Sequence, residues 1–418
     1  MARKIKDLKD TKENLLGRKR LPIERIVSSE SSAYEEVVPM VKEIETETTE
    51  AREELLHKCQ AIFARKDFPL LNRDFHKKFL ESPLSHKLPP GMVSLDASGP
   101  WMIYWVANGL KVLDESWLTR EAQRRIYQKL FGISTVGGPF GGGVGQLPHL
   151  ASTYAAVNAL AICENVDNCW DNINKESIYN WLLTLKRKDG GFQTCYKVGE
   201  YDTRGVYCAI SVASMLGLLT EELCKNVVEF LVDCQNYEGG FGAVSHEDEA
   251  HGGYTFCAVA SLAILGALHK ANLDKLADWC SQRQCNGEKG LSGRSNKLVD
   301  VCYSFWVGGV ASILEAYGYG SCIEKHALRD YILCCCQMAS RPGIRDKPGT
   351  NPDFYHTNYG LLGLAITENT FRLDRTVPHA FKISSTIIDP DRASGLTAIN
   401  PVYGLPNKDL ELFYKHFT

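Results

Sequence analysis

The sequence predicts an all-α protein, an α/α barrel (toroid) in which inner and outer helices alternate. Three observations predict it. Glycine turns recur at a nearly constant interval: Gly142, Gly190, Gly239, Gly290 and Gly343 are separated by 48, 49, 51 and 53 residues. Two of these turns follow an amphipathic segment in identical register, Ile178, Trp181, Leu182 and Leu185, then Val227, Phe230, Leu231 and Cys234. Spacings of three and four give one buried stripe on a helix that otherwise faces solvent. After the turns come segments nearly free of charge: "GVYCAISVASMLGLL", "GYTFCAVASLAILGAL", "VCYSFWVGGVASIL" and "YGLLGLAI". A helix that is apolar all round is buried all round, so this second set is expected inside the first. A linear solenoid of helical pairs is the competitor, but its concave helices keep a wet face that these segments lack.

In chain order, residues 1–55 read as a charged arm, poor in aromatics, with one acidic helical stretch, "EEVVPMVKEIETETTEAREELL". A partly flexible or partner-binding extension is expected there. Residues 56–418 are expected to form the barrel. The segment from Asp391, "DRASGLTAINPVYGLPNKDLELFYKHFT", reads as a return loop with a closing helix.

Composition narrows the function. The 418 residues are 44% hydrophobic and 23% charged, ordinary for a globular protein. With 47 basic against 50 acidic residues, net charge −3, a general nucleic-acid binder is not expected. The N-terminal "MARKIKDLKDTKENLLGRKR" has no apolar signal segment, and many of the fifteen cysteines sit in apolar runs, Cys257 and Cys334 to Cys336 among them. Reduced thiols in a cytoplasmic protein are therefore expected. The longest uncharged run, Gly252 to Leu268, falls short of the roughly 20 residues of a membrane span.

Chemistry gathers at the start of each apolar segment. "RGVY" from Arg204, "HGGY" from His251, "DVCY" from Asp300 and "HTNY" from His356 fall at steps of 47, 49 and 56, with "HLASTY" from His149 as a looser fifth. In a barrel, equivalent positions share one rim, so these side chains should converge on one mouth. Each alone is ordinary, because Asp caps helices and Cys and Tyr pack cores. Different chemistries recurring at one phase favour a site.

Within that set, Asp300, Cys302 and His356 offer a carboxylate, a thiolate and an imidazole, a zinc candidate with a fourth position open. His251, Arg294, Lys297 and Tyr303, with Arg204, form an electropositive group suited to a diphosphate. The bland alternative for "GRSNK" is a solvated basic face.

The segments "LDASGPWMIYW", "GGGVGQLPHLASTYAAVNAL", "EAHGGYTFCAVASL", "GRSNKLVDVCYSFW" and "DKPGTNPDFYHTNYGL" resemble the β subunits of protein prenyltransferases, most closely the farnesyl-transferring group, over roughly residues 90 to 405. The resemblance implies an α/α barrel and transfer of farnesyl from farnesyl diphosphate to the cysteine of a C-terminal Cys-a-a-X motif. It implies zinc on Asp300, Cys302 and His356, and diphosphate on His251, Arg294, Lys297 and Tyr303. Arg204, Tyr254 and Trp306 match the lipid tunnel. Trp101, Trp105, Tyr355, His149 and Glu200 match positions near the peptide. Asp346 in "DKPG" matches a magnesium carboxylate, and Trp101 with Tyr359 matches a bulky pair that excludes a longer lipid. A helical α subunit is the implied partner. "SHEDEAHGG" is longer and more acidic than the family's loop, and Ser295 stands where a cysteine is common. The residue reading leaves two rivals: a geranylgeranyltransferase type I β subunit, and a non-catalytic toroid that binds peptide or lipid.

Overall fold

The computed structural model describes residues 45–86, 88, 90–134, 136–246, 249–374 and 382–418. Helix α1 (Glu47–Phe63) runs through residue 55, where the sequence reading ended the arm; residues 1–44 lie outside the described residues. From there helices alternate. The outer set is α2 (Arg73–Ser85), α4 (Arg120–Ile133), α6 (Lys175–Leu185), α8 (Val227–Asp233), α10 (Leu273–Gln282) and α12 (Lys325–Asp330), the last continued by a π-helical turn, Tyr331–Cys336. The inner set is α3 (Gly99–Leu113), α5 (Leu150–Ile162), α7 (Thr203–Met215), α9 (Gly252–Ile264), α11 (Tyr303–Ala316) and α13 (Phe354–Thr367).

Each inner helix packs on the next, and α13 packs back on α3. That closure makes a ring and excludes the open solenoid. The inner helices bury nearly every side chain, as their lack of charge requires. In α7 only Arg204 escapes burial, in α13 only Tyr355 and His356, and in α9 only Gly253 and Tyr254. In these three helices the exceptions all sit in the first turn, so the ring opens at that rim. No helix among the described residues is long and apolar enough to cross a membrane.

Two of the five turns differ from the expected pattern. Gly190 and Gly239 hold φ of +105° and +99°, and a Cβ on either would run into the backbone carbonyl of Asn226 or Lys275 in the next outer helix region. The first equivalent is Gly137, which meets the Asn172 carbonyl in the same way, rather than Gly142. In the fourth turn Lys289, not Gly290, takes the left-handed conformation, with φ of 65°. What recurs is the close approach to the following helix, and counting glycines does not see it.

Strands are few and short. A hairpin of β1 (Gln193–Cys195) and β2 (Val198–Tyr201) stands beside the rim. A second, β3 (Asn369–Leu373) with β4 (Ile383–Ile387), follows α13. The expected return segment enters the ring itself: Asn108 Nδ2 donates to the Gly404 carbonyl at 2.9 Å and Tyr207 Oη to the Val402 carbonyl at 2.7 Å. The closing helix α14 (Asn407–Phe417) then packs on α5 and α7.

Lys111 is a charge inside an inner helix, and it ties that return segment down. It is 1% exposed and pairs with Glu164 and with the buried Asp409. Burial is the main reason the Asp409 carboxyl is pushed up to about 6, against the pull of Lys111. Removing one partner of a buried pair costs about 3–5 kcal/mol, so Lys111→Met is expected to lower the unfolding midpoint and expose α14 to protease. Without Lys111 the folded carboxyl shifts still further above its unfolded value. The added penalty is then small below about pH 6, where the carboxyl is protonated in both folded proteins, grows as pH rises toward that higher value and is complete above it. Melting curves at pH 5 and 8 check this: a loss that is equal at both contradicts the pairing.

Candidate active site and metal centre

The site is built from helix starts. His149, Asp202, His251 and Asp353 cap α5, α7, α9 and α13, and each accepts a backbone N–H of its helix's first turn. Asp300 accepts the backbone N–H of Cys302 at 2.8 Å in the turn just before α11, whose N-cap position is Cys302. Arg204 and His356, which the sequence pattern places at helix starts, are not caps. They lie two and three residues inside their helices, because Asp202 and Asp353 are the better caps. Helix N-termini carry partial positive charge, so convergent starts favour an anion at this rim.

The rim opens into a cavity of about 310 Å³ lined by Trp101, Tyr154, Tyr207, Trp306 and Tyr355, and by Cys208 and Cys257. Small residues at the first turns, Ala151, Gly205 and Gly253, leave the space. The polar lining comes from His149, Thr194, Glu200, Asp202, Arg204, His251 and Tyr303. The shape is that of a small-molecule site, apolar in its walls with few polar groups at one end.

At one side of the rim the donor atoms of Asp300, Cys302 and His356 all lie within 4.8 Å of one another. The His356 Nε2 is 3.4 Å from Asp300 Oδ1, and its Nδ1 is 2.7 Å from Asp353 Oδ2. Asp353 therefore fixes the ring so that Nε2 faces the cluster, the usual way a carboxylate orients a metal-binding histidine. Burial opposes charge on His356, but its bonds to Asp300 and Asp353 outweigh that and push it up to about 9. Burial, then the Asp300 charge, pushes the Cys302 thiol well up. The mixed oxygen, sulfur and nitrogen set, with a braced histidine, fits zinc.

Beside the cluster, the His251 Nδ1 accepts from the Gly253 N–H at 3.0 Å, and the Tyr303 hydroxyl lies 3.1 Å from Nε2. Burial, helped by Arg294 and Arg204, pushes His251 down to about 4. The neutral ring therefore carries its proton on Nε2 and donates to Tyr303, which leaves the phenol proton free for a ligand. Arg204 is held by Asp202, Nη2 to Oδ2 at 2.6 Å, and lies over Tyr254, which backs the wall rather than lining it. Arg294 pairs with Glu249 at 3.1 Å, and Lys297 is exposed; neither lines the cavity.

Other expected residues lie further back. Trp105 stands edge-on to Tyr355 at 5.4 Å, and the buried Tyr359 packs on Trp306 at 4.4 Å. Both stand behind the cavity wall, and Trp101 packs instead on Trp105 and Tyr154. The Asp346 carboxylate is held by Lys347 and Thr350, while its carbonyl accepts from the Val301 N–H at 2.9 Å. Ser295 binds Glu238 and Arg283 at 3.1 Å; residues 247 and 248 of the acidic loop lie outside the described residues. Sequence reasoning missed the supports Asp202 and Asp353. The signal for both was present: an aspartate two or three residues before a candidate ligand at a helix start.

Residues 71–405 match the family model described as the prenyltransferase alpha-alpha toroid domain. The chain is similar to the protein farnesyltransferase subunit beta of Saccharomyces cerevisiae, 54% identical over 100% of this chain and 97% of that protein. It is 39% identical to the same subunit of Schizosaccharomyces pombe, over 81% of this chain and 90% of that one. Among solved structures, Candida albicans protein geranylgeranyltransferase-I complexed with GGPP superposes with a TM-score of 0.69 at 23% identity, covering 84% of this chain and 100% of that chain.

Proposed function

The chain belongs to the protein prenyltransferase family, and we propose that it is the β subunit that transfers farnesyl from farnesyl diphosphate to the cysteine of a C-terminal Cys-a-a-X motif, through zinc at Asp300, Cys302 and His356. The observation that carries this reading is the three-donor cluster standing directly behind Tyr303 and Tyr355, which line an aromatic cavity together with His251 and Arg204. The full-length similarity to farnesyltransferase β subunits supports the choice of lipid.

Asp300, Cys302 and His356 would hold the zinc, which supplies a charge that lowers the pKa of the acceptor thiol and keeps it as thiolate. The aromatic walls, with Trp101 and Trp306, exclude water and seat the isoprenoid chain. His149, its Nδ1 taken by the Ala151 N–H, presents Nε2 beside Glu200 toward the peptide. As the carbon–oxygen bond breaks, negative charge grows on the diphosphate. The Tyr303 hydroxyl, backed by neutral His251, faces that charge directly, and Arg294 and Lys297 add positive field from the rim. Asp346, held here by Lys347 and Thr350, would offer one carboxylate to a magnesium ion, which would supply positive charge for the leaving diphosphate. The binding partner is a helical α subunit.

Arg294 sits half-exposed in a pair with Glu249, so its share is smaller than that of a buried donor. Arg294→Ala is expected to lower the single-turnover rate about tenfold, on the order of 1.4 kcal/mol, with peptide affinity unchanged. An unchanged rate removes it from the diphosphate set. The reading as a whole is tested by mass spectrometry on the chain purified with its α partner and a Cys-terminated peptide. Farnesyl diphosphate should give the thioether mass shift faster than geranylgeranyl diphosphate. Preference for the longer lipid would make this a geranylgeranyltransferase subunit, and no product with intact lipid binding would make it a non-catalytic toroid.

A further inference from the structure

Glu238 joins two rim loops, one carrying His251 and the other Arg294 and Lys297. Its Oε1 accepts the Ala250 N–H at 3.0 Å, and its Oε2 accepts the Ser295 hydroxyl at 3.1 Å. The Ser295 oxygen in turn accepts from Arg283 Nη1 at 3.1 Å, and Arg283 is buried with its guanidinium over the Trp279 ring at 5.2 Å. A hydroxyl donates once and accepts twice, so Ser295 serves the carboxylate and the guanidinium together. A charge at each end strengthens both bonds. The Glu238 backbone is fixed as well, its N–H donating to Asn236 Oδ1 at 3.0 Å. The two loops also meet each other, where the Gly252 N–H donates to the Gly293 carbonyl at 2.8 Å. Both lie against Tyr303: a Cβ on Gly293 would run into the hydroxyl end of its ring, and one on Gly252 into its Cδ1 edge.

We propose that Glu238 is a positioning residue for the diphosphate site, its carboxylate tied through Ser295 to the buried Arg283 and so holding the loops of His251 and Arg294 against Tyr303. The inference rests on the reading of Tyr303 as a donor to the leaving diphosphate. Glu238 does not line the cavity; it acts on where the Tyr303 hydroxyl points. His251 and Tyr303 share a hydrogen bond at 3.1 Å, so a shift of the backbone around Ala250 moves the phenol with it. Such shifts matter, since misplacing a reacting group by about 1 Å costs on the order of a hundredfold in rate. The same network accounts for Ser295, which stands where the resembling family commonly has a cysteine. A thiol is a weak donor and a weak acceptor, and would bridge the two charges poorly.

The test is a double-mutant cycle on the complex of this chain with its α partner, followed in single turnover with farnesyl diphosphate and a Cys-terminated peptide. Glu238→Gln keeps the size of the side chain and removes its charge. It is expected to slow the reaction about tenfold with peptide affinity unchanged. In a Tyr303→Phe background, where the hydroxyl it positions is gone, the same change should cost less than about twofold. Ser295→Ala should repeat the pattern with a smaller loss, and Ser295→Thr, which keeps the hydroxyl, should restore the parent rate. A loss equal in both backgrounds, or no loss at all, overturns the positioning role while leaving the diphosphate reading of Tyr303 intact. A Tyr303→Phe rate equal to that of the parent overturns that reading, and this inference with it.

Discussion

The Cys302→Ala protein is expected to purify without stoichiometric zinc and to lose at least about a thousandfold in turnover, roughly 4 kcal/mol. The sulfur is the one soft donor in the cluster, and Asp300 and His356 alone make a two-donor site too weak to retain the ion. On the proposed reading, loss of the ion would remove the activation of the acceptor thiol, a contribution of several kcal/mol. The fold should survive, since the change deletes one small buried group and leaves the backbone hydrogen bond to Asp300 in place. Elemental analysis beside a melting curve separates the effects: a folded protein with full zinc contradicts the assignment.

Tyr303→Phe is expected to lower the single-turnover rate about 30- to 1000-fold, with peptide and lipid affinities nearly unchanged. A donor aimed at charge that develops only as the bond breaks is worth about 2–4 kcal/mol. Tyr303 meets that description because neutral His251 donates to its oxygen and frees its proton. The ring packs edge-on to His251 at 5.7 Å and stays in the variant. A rate that is unchanged while lipid affinity falls would make Tyr303 a ground-state contact instead.

Much of this was legible because burial and chemistry separate cleanly along the chain. The inner helices betray themselves by lacking charge, and the polar residues that interrupt them, Arg204, His251 and His356, mark the rim. The ring's sixth member was harder to see: α3 carries the buried Lys111 and follows no glycine turn of the recurrent kind. The repeat phase was only approximately right, because a helix start is set by which residue caps it. Asp202 and Asp353 outcompete the neighbours that bear the chemistry. Contacts such as Trp306 to Tyr355 join residues 49 apart. Nothing in local pattern announces them, since they depend on how neighbouring inner helices are turned about their axes.

The most direct measurement is X-ray absorption at the zinc edge of the chain purified with its partner. The account predicts one sulfur at about 2.3 Å with nitrogen and oxygen at about 2.0–2.2 Å, and a second sulfur appearing when a Cys-terminated peptide is added. An edge showing no sulfur, or four sulfurs without peptide, contradicts a centre formed by Asp300, Cys302 and His356.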